Sequence, residues 1–281
     1  MLAFGYARSM MRNTLASLRF GGPAEMAVIA LLAWAALVSV PVWFAPMGLS
    51  WDALNHHIYL GWMAQHSRLD EDFLAAGYQT LTYPYLYWPV YRLAAAGAGP
   101  QLAGAVLASL HVITVPAVWL IARSCIPGTT AFDAAMRAMA VLLAFLSGVM
   151  LSQLDSSSND LLAASPLVWA IALSLEALRP DRARARRLLL LLAGLLAGVS
   201  VAFKLSNGPI AMLMPMLWMF AGVGIRERLT NTALACVCTL AGCLMAYGHW
   251  GWQLWARYGN PIYPFYDAAF MPLRAMLGWA P

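Results

Sequence analysis

Apolar residues run along this chain in long blocks, and the polar residues gather in the short stretches between them. A block of about 20 apolar residues matches an α-helix crossing the hydrocarbon of a bilayer. Seven blocks predict spans at roughly 26–44, 101–122, 136–153, 161–178, 188–203, 209–225 and 232–250. The run from Tyr83 to Ala98 is also apolar, but Pro84, Pro89 and Gly97 break it, so it reads as interfacial or re-entrant. The expected fold class is therefore all-α: one polytopic transmembrane helical bundle over 1–281, with a large outer loop at 45–100 containing amphipathic interfacial helices. Ahead of the first block, Arg8, Arg12 and Arg19 sit among Leu2, Phe4, Leu15 and Leu18. That pattern predicts an amphipathic segment over 1–24 on the inner leaflet. The run Met26 to Phe44 is long for a cleavable signal, so it reads as a signal anchor.

Composition agrees with a membrane protein: 62% of the 281 residues are hydrophobic and 10% are charged, against about 25% charged in soluble domains. The net charge of +5 changes meaning once its location is considered. With the N-terminus inside, twelve of the seventeen Lys and Arg fall on the inner side, including five Arg in "RPDRARARR" (179–187). Arg68, Arg92, Lys204, Arg257 and Arg274 fall outside. Excess basic charge in short loops reports a cytoplasmic side, and no basic stripe interleaved with stacking aromatics points to nucleic acid. The expected location is a bacterial inner membrane, multi-pass, with a cytoplasmic N-terminus. Cys125, Cys236, Cys238 and Cys243 lack metal-ligand spacing and read as small apolar helix residues.

The same orientation puts every chemically rich segment on the outer side, facing the periplasm or cell exterior: "SWDALNHH", "RLDEDF", "TYPYLYWPVY", "QLDSSSND", "FKLSNGP" and "RYGNPIYPFYD". In the first, Ser50 can cap a helix starting at Trp51, with Asp52 in its first turn. At about 100° per residue, Asp52, Asn55, His56 and Tyr59 share one stripe, and Trp51, Leu54, Ile58 and Trp62 share another. A solvated polar face is the plainer explanation, but a carboxylate held next to hydrocarbon is more often functional. Asp155 to Asp160 supplies capping groups for the next helix, and Asp155 or Asp160 also suits a sugar or a cation. The aromatics between Tyr83 and Tyr91 read as an interfacial belt, and His111 as a mid-span packing residue.

Taken in order, four segments resemble the C-fold (GT-C) integral membrane glycosyltransferases, bacterial polyprenyl-phosphate-sugar-dependent type. "WDALNHHIYLGWMAQHSRLDEDFLAAGYQTLTYPYLYWP" is similar to their first outer loop, and "SSSNDLLAA" to an outer loop leading into a helix. "GVSVAFKLSNGP" is similar to a glycine-rich helix ending in Lys or Arg, and "GNPIYPFYDAAF" to a late Gly-Asn-Pro segment. The likeness runs from about residue 25 to 275, and it rests on order and common sidedness. Two features depart from it. Ala53 follows Asp52 where many relatives carry an acidic pair, leaving Asp70, Glu71 and Asp72 as the nearest cluster, and relatives often have more helices.

The resemblance implies a polyprenyl-phosphate sugar as donor, and a glycan, lipid or protein acceptor at the cell envelope. Asp52 is the candidate general base, because a phosphate leaving group needs no acid while the acceptor hydroxyl needs a base. Lys204 and Arg257 are candidate phosphate partners. Asn55, His56, Tyr59 and Asp160 complete the substrate-binding set. No cofactor is assigned; Mg²⁺ or Mn²⁺ is compatible with the outer carboxylates, but no spacing fixes a site. Two alternatives stand beside this reading. One is a lipid or solute transporter or flippase. The other is an inactive fragment or membrane scaffold, since the chain stops at "MLGWAP", just past an outer motif.

Overall fold

A computed structural model describes residues 20–66, 68–72 and 74–279. The predicted amphipathic segment over 1–24 lies almost wholly outside them. The described residues are predominantly helical, with one four-residue extended piece, Ala75–Tyr78. Five helices are long and apolar enough to cross a membrane: Pro23–Phe44, Pro100–Cys125, Asp160–Leu178, Arg186–Phe203 and Ile225–Tyr258. The blocks at 136–153 and 209–225 form shorter helices, Ala131–Phe145 and Gly208–Trp218. Both are cut short by residues that suit helix ends: Ser147 caps a separate turn at Gly148–Leu151, and Gly222 and Gly224 follow the second.

We number the helices α1 (Pro23–Ser39, continued by a π turn at Val40–Phe44), α2 (Ile58–Met63), α3 (Trp88–Ala95), α4 (Pro100–His111), α5 (Val115–Cys125), α6 (Ala131–Phe145), α7 (Gly148–Leu151), α8 (Asp160–Leu178), α9 (Arg186–Phe203), α10 (Gly208–Trp218), α11 (Ile225–Tyr258) and α12 (Asp267–Met276). The second candidate span is α4 and α5 joined by a 3₁₀ turn at Val112–Thr114. Pro116 explains the turn: it has no N–H to give the Val112 carbonyl, so the helix tightens there instead of continuing.

Two apolar cores hold the bundle. The first joins α1, α4, α5 and α6 around Trp119, Val141 and Phe145. The second joins α8, α9, α10 and the start of α11 around Ala-rich faces and Trp218. Small residues let α9 and α11 approach closely, as membrane helices require where burial of apolar surface drives little. A Cβ on Gly194 or Gly198 would meet the carbonyl oxygens of Ala235 and Thr239, and one on Gly242 that of Leu195. We expect Gly198→Ala to push the helices apart and destabilise the fold by about 1–3 kcal/mol. Thermal unfolding in detergent reads this, and an unchanged midpoint would show that the seam is not tightly packed.

At the far end of the bundle from the 45–100 segment, Glu25 and Arg137 form a buried ion pair. Arg137 Nε and Nη2 donate to the two Glu25 oxygens at 2.6 and 2.7 Å. Its Nη1 donates to the carbonyls of Ile126 and Gly128 at 2.8 Å each, and Trp119 Nε1 donates to Glu25 at 2.9 Å. The remaining loops divide cleanly. The 45–100 segment, residues 152–159, 204–207 and 259–266 meet at one end, where Gly48 N–H donates to the Asp155 carbonyl at 3.2 Å and a third apolar cluster joins Leu60, Tyr87, Trp250 and Leu254. The five-arginine connection 179–187 lies at the other, where Arg186 pairs with Glu227.

Candidate functional site

One cavity of about 450 Å³ opens among the segments gathered at the loop-rich end. Asp52, His56, His57, Asp160 and Lys204 supply its ionisable wall; Tyr83, Tyr87, Tyr247 and Phe265 supply much of the aromatic wall.

Asp52 enters through a helix start that the sequence specifies. Ser50 Oγ accepts the Ala53 N–H at 3.1 Å, as a capping serine does. The helix then widens: Ala53–His57 is a π turn, closed by the Ile58 N–H on the Ala53 carbonyl. Widening adds a residue to the turn and lowers the rotation per residue below about 100°. This corrects the expected stripe. His57 rotates onto the face of Asp52 and His56, and Asn55 and Tyr59 rotate away. His56 and His57 are buried, whereas Asn55 is exposed and its Nδ2 donates to the Trp51 carbonyl at 2.7 Å. Tyr59 donates to Asp72 at 3.0 Å, and Arg68 clasps the same carboxylate.

His57 is held on two sides. Its Nδ1 is 2.7 Å from Ser157 Oγ, and its ring stacks on Tyr87 with centroids 4.5 Å apart. Burial, helped by the neighbouring His56, pushes its pKa down to about 4, so the ring is neutral at pH 7. Burial and the nearby Asp52 carboxylate push the Tyr87 phenol up to about 12, against a hydrogen bond with Asn159. Asp52 Oδ1 is 3.7 Å from His56 Nε2, with 57% of its side chain exposed to the cavity and solvent.

Asp160 and Lys204 come together because α8 and α9 are an antiparallel pair of nearly equal length, 19 and 18 residues. The start of one therefore stands beside the end of the other. Lys204 leaves α9 in an extended conformation, and its ammonium bonds Asp160 Oδ1. Ser158 Oγ donates to Asp160 Oδ2 at 2.8 Å, and Asn207 Nδ2 ties the junction down by donating to the carbonyls of Ala163 and Ser200 at 3.1 Å each. The capping role expected of residues 155–160 is not made by side chains at the N-cap: Asn159 occupies that position and turns to Tyr87 instead.

Arg257 stands apart from the cavity. Its Nε and Nη2 both donate to Asp70 at 2.6 Å, which fastens the 45–100 segment to the end of α11. A bidentate guanidinium–carboxylate pair leaves little free for a phosphate, so Arg257 acts here as a latch. Sequence reasoning noted the "HH" dipeptide but did not assign His57, Ser157, Tyr247 or Phe265 to the site. Comparison with known protein families, curated proteins and solved structures finds no match.

Proposed function

We propose that this chain is a membrane glycosyltransferase of the GT-C type, which moves a sugar from a polyprenyl-phosphate donor to an acceptor hydroxyl on the periplasmic face. In this proposal the shorter helices α6 and α10 also cross, which gives seven passes, and the 179–187 arginines lie in the cytoplasm. The observation that carries the reading is the single cavity that collects a carboxylate from the first outer segment and an ammonium from the end of α9.

The chemistry follows from those two charges. The acceptor oxygen attacks the anomeric carbon as the carbon–oxygen bond to phosphate breaks. The lipid phosphate departs with the bonding electron pair, and Asp52 takes the acceptor proton. One displacement inverts the anomeric centre. Lys204 has three N–H donors, and Asp160 engages one, so two remain for the donor phosphate. An apolar groove of about 500 Å³, lined by Leu49, Ala53, Val90, Leu93 and Pro100, lies on the other side of the Asp52 turn and suits a prenyl chain.

Replacing Lys204 tests the donor contact. Lys204→Met removes a charge-assisted hydrogen bond and should weaken donor binding by about 1–3 kcal/mol, roughly 5–150-fold in Kd. Lys204→Met with Asp160→Asn separates loss of the phosphate contact from an unpaired Asp160 carboxylate. Binding of a radiolabelled polyprenyl-phosphate sugar to protein in nanodiscs is the readout. Wild-type affinity in both variants would remove Lys204 from the donor site, and absence of donor binding to the unaltered protein would remove the whole proposal.

A further inference from the structure

The Asp52 turn presents a second arrangement that needs no donor to be recognised. We propose that Asp52, His56 and His57 bind a divalent transition-metal ion of the zinc class. One donor atom from each residue lies within 4.8 Å of the other two. Asp52 Oδ1 and His56 Nε2 are 3.7 Å apart, too far for a good hydrogen bond. That spacing is near the roughly 3.3 Å between neighbouring ligands of a tetrahedral ion with bonds of about 2.0–2.1 Å. Side-chain rotations that shift the donors by about 1 Å close the set.

The donor chemistry selects the ion. Two imidazoles and a carboxylate suit zinc, cobalt, nickel or iron, whereas magnesium prefers a shell of oxygens. The surroundings hold the ligands in place. With its proton on Nδ1, His57 donates to Ser157 Oγ at 2.7 Å, which leaves Nε2 as the ligating nitrogen. The Tyr87 ring, nearly parallel at 18°, fixes the imidazole plane. Three protein ligands leave coordination positions toward the 450 Å³ cavity, as a catalytic rather than a structural site does. The π turn brings the third ligand to this face, since in a regular helix His57 points elsewhere.

Charge gives the ion a use. Leaving the imidazoles uncounted, the cavity holds two carboxylates, Asp52 and Asp160, against one ammonium, Lys204. That formal sum of −1 repels an anionic phosphate, and a divalent ion turns it to +1. Ligation through Asp52 Oδ1 also leaves Oδ2 for the acceptor proton. These two uses rest on the transferase reading above; the metal site itself does not.

The test is metal binding, not turnover. Protein without a polyhistidine tag, stripped with a chelator, is titrated with Zn²⁺ by calorimetry and with Co²⁺ by visible absorption, with Mg²⁺ for comparison. One Zn²⁺ per chain should bind, Co²⁺ should show the intense bands of a four- or five-coordinate site, and Mg²⁺ should bind far more weakly. His56→Gln and Asp52→Asn should each weaken Zn²⁺ binding by more than about 100-fold, and Ser157→Ala by about 10–100-fold. His249→Gln, a control outside the site, should leave binding unchanged. His56→Gln and Ser157→Ala keep the test alive if variants at the stacked His57 do not fold. Failure to bind Zn²⁺ or Co²⁺ at about 1 mM, about −4 kcal/mol, would overturn the site. So would stoichiometric binding that survives both Asp52→Asn and His56→Gln. Sugar transfer that persists after chelation would remove the ion from the reaction while leaving the donor reading intact.

Discussion

Changing Asp52 to Asn is expected, on the proposed transferase function, to lower sugar transfer by about 10²–10⁴-fold, ~3–5 kcal/mol of barrier. The amide keeps the size and hydrogen-bonding capacity of the side chain but cannot take the acceptor proton. In metal-free protein, donor binding should change far less than turnover, because an anionic donor gains nothing from the carboxylate itself. Asp52→Glu should recover part of the rate, since it restores the carboxylate and misplaces it by one methylene. Radiolabelled transfer in membranes reads both variants. Wild-type turnover in Asp52→Asn would mean that Asp52 serves only to begin the helix that Ser50 caps.

Arg137→Met should destabilise the protein by about 3–5 kcal/mol. The substitution leaves the buried Glu25 carboxylate with its Trp119 and Gly21 hydrogen bonds and no cation. It also strips the Ile126 and Gly128 carbonyls of their donor. Glu25→Gln combined with Arg137→Met removes the stranded charge and should regain much of the loss, because an uncharged pair carries no large desolvation penalty. The readout is the unfolding midpoint in detergent. A double variant no more stable than Arg137→Met alone would place the damage in the lost carbonyl contacts rather than in the charge.

How much of this was legible in the sequence depends on how far each feature extends along the chain. The helices of the bundle follow from apolar block length, a local property. The meeting of Asp160 with Lys204 was also within reach: two apolar blocks of nearly equal length, joined by a short arginine-rich connection, bring the start of one beside the end of the other. The seven-block count ran ahead of helix length, because hydropathy does not register where Ser147 or Gly222 ends a helix. The Asp52 face was misdrawn for a different reason. A period of about 3.6 residues assumes a regular helix, and nothing in "ALNHH" announces a widened turn. That one turn exchanged Asn55 and Tyr59 for His57. Arg257 and Glu25 were beyond reach because their partners, Asp70 and Arg137, lie 187 and 112 residues away.

The lengths of the five long helices differ in a way that sets the depth of the cavity. At 1.5 Å per residue, α8 and α9 measure about 28 and 27 Å, while α11 measures about 51 Å. A bilayer's hydrocarbon is about 30 Å thick. The two helices that deliver Asp160 and Lys204 are thus slightly shorter than that layer, and α11 is much longer than it. In the proposed seven-pass arrangement the bilayer must adjust around the shorter pair, so its thickness becomes a control on the site. In vesicles of graded acyl-chain length, transfer should fall as the membrane thickens, because Lys204 is then drawn below the plane where lipid phosphates lie. An activity indifferent to acyl length would detach the site from the membrane surface, and the donor would then have to rise to meet it.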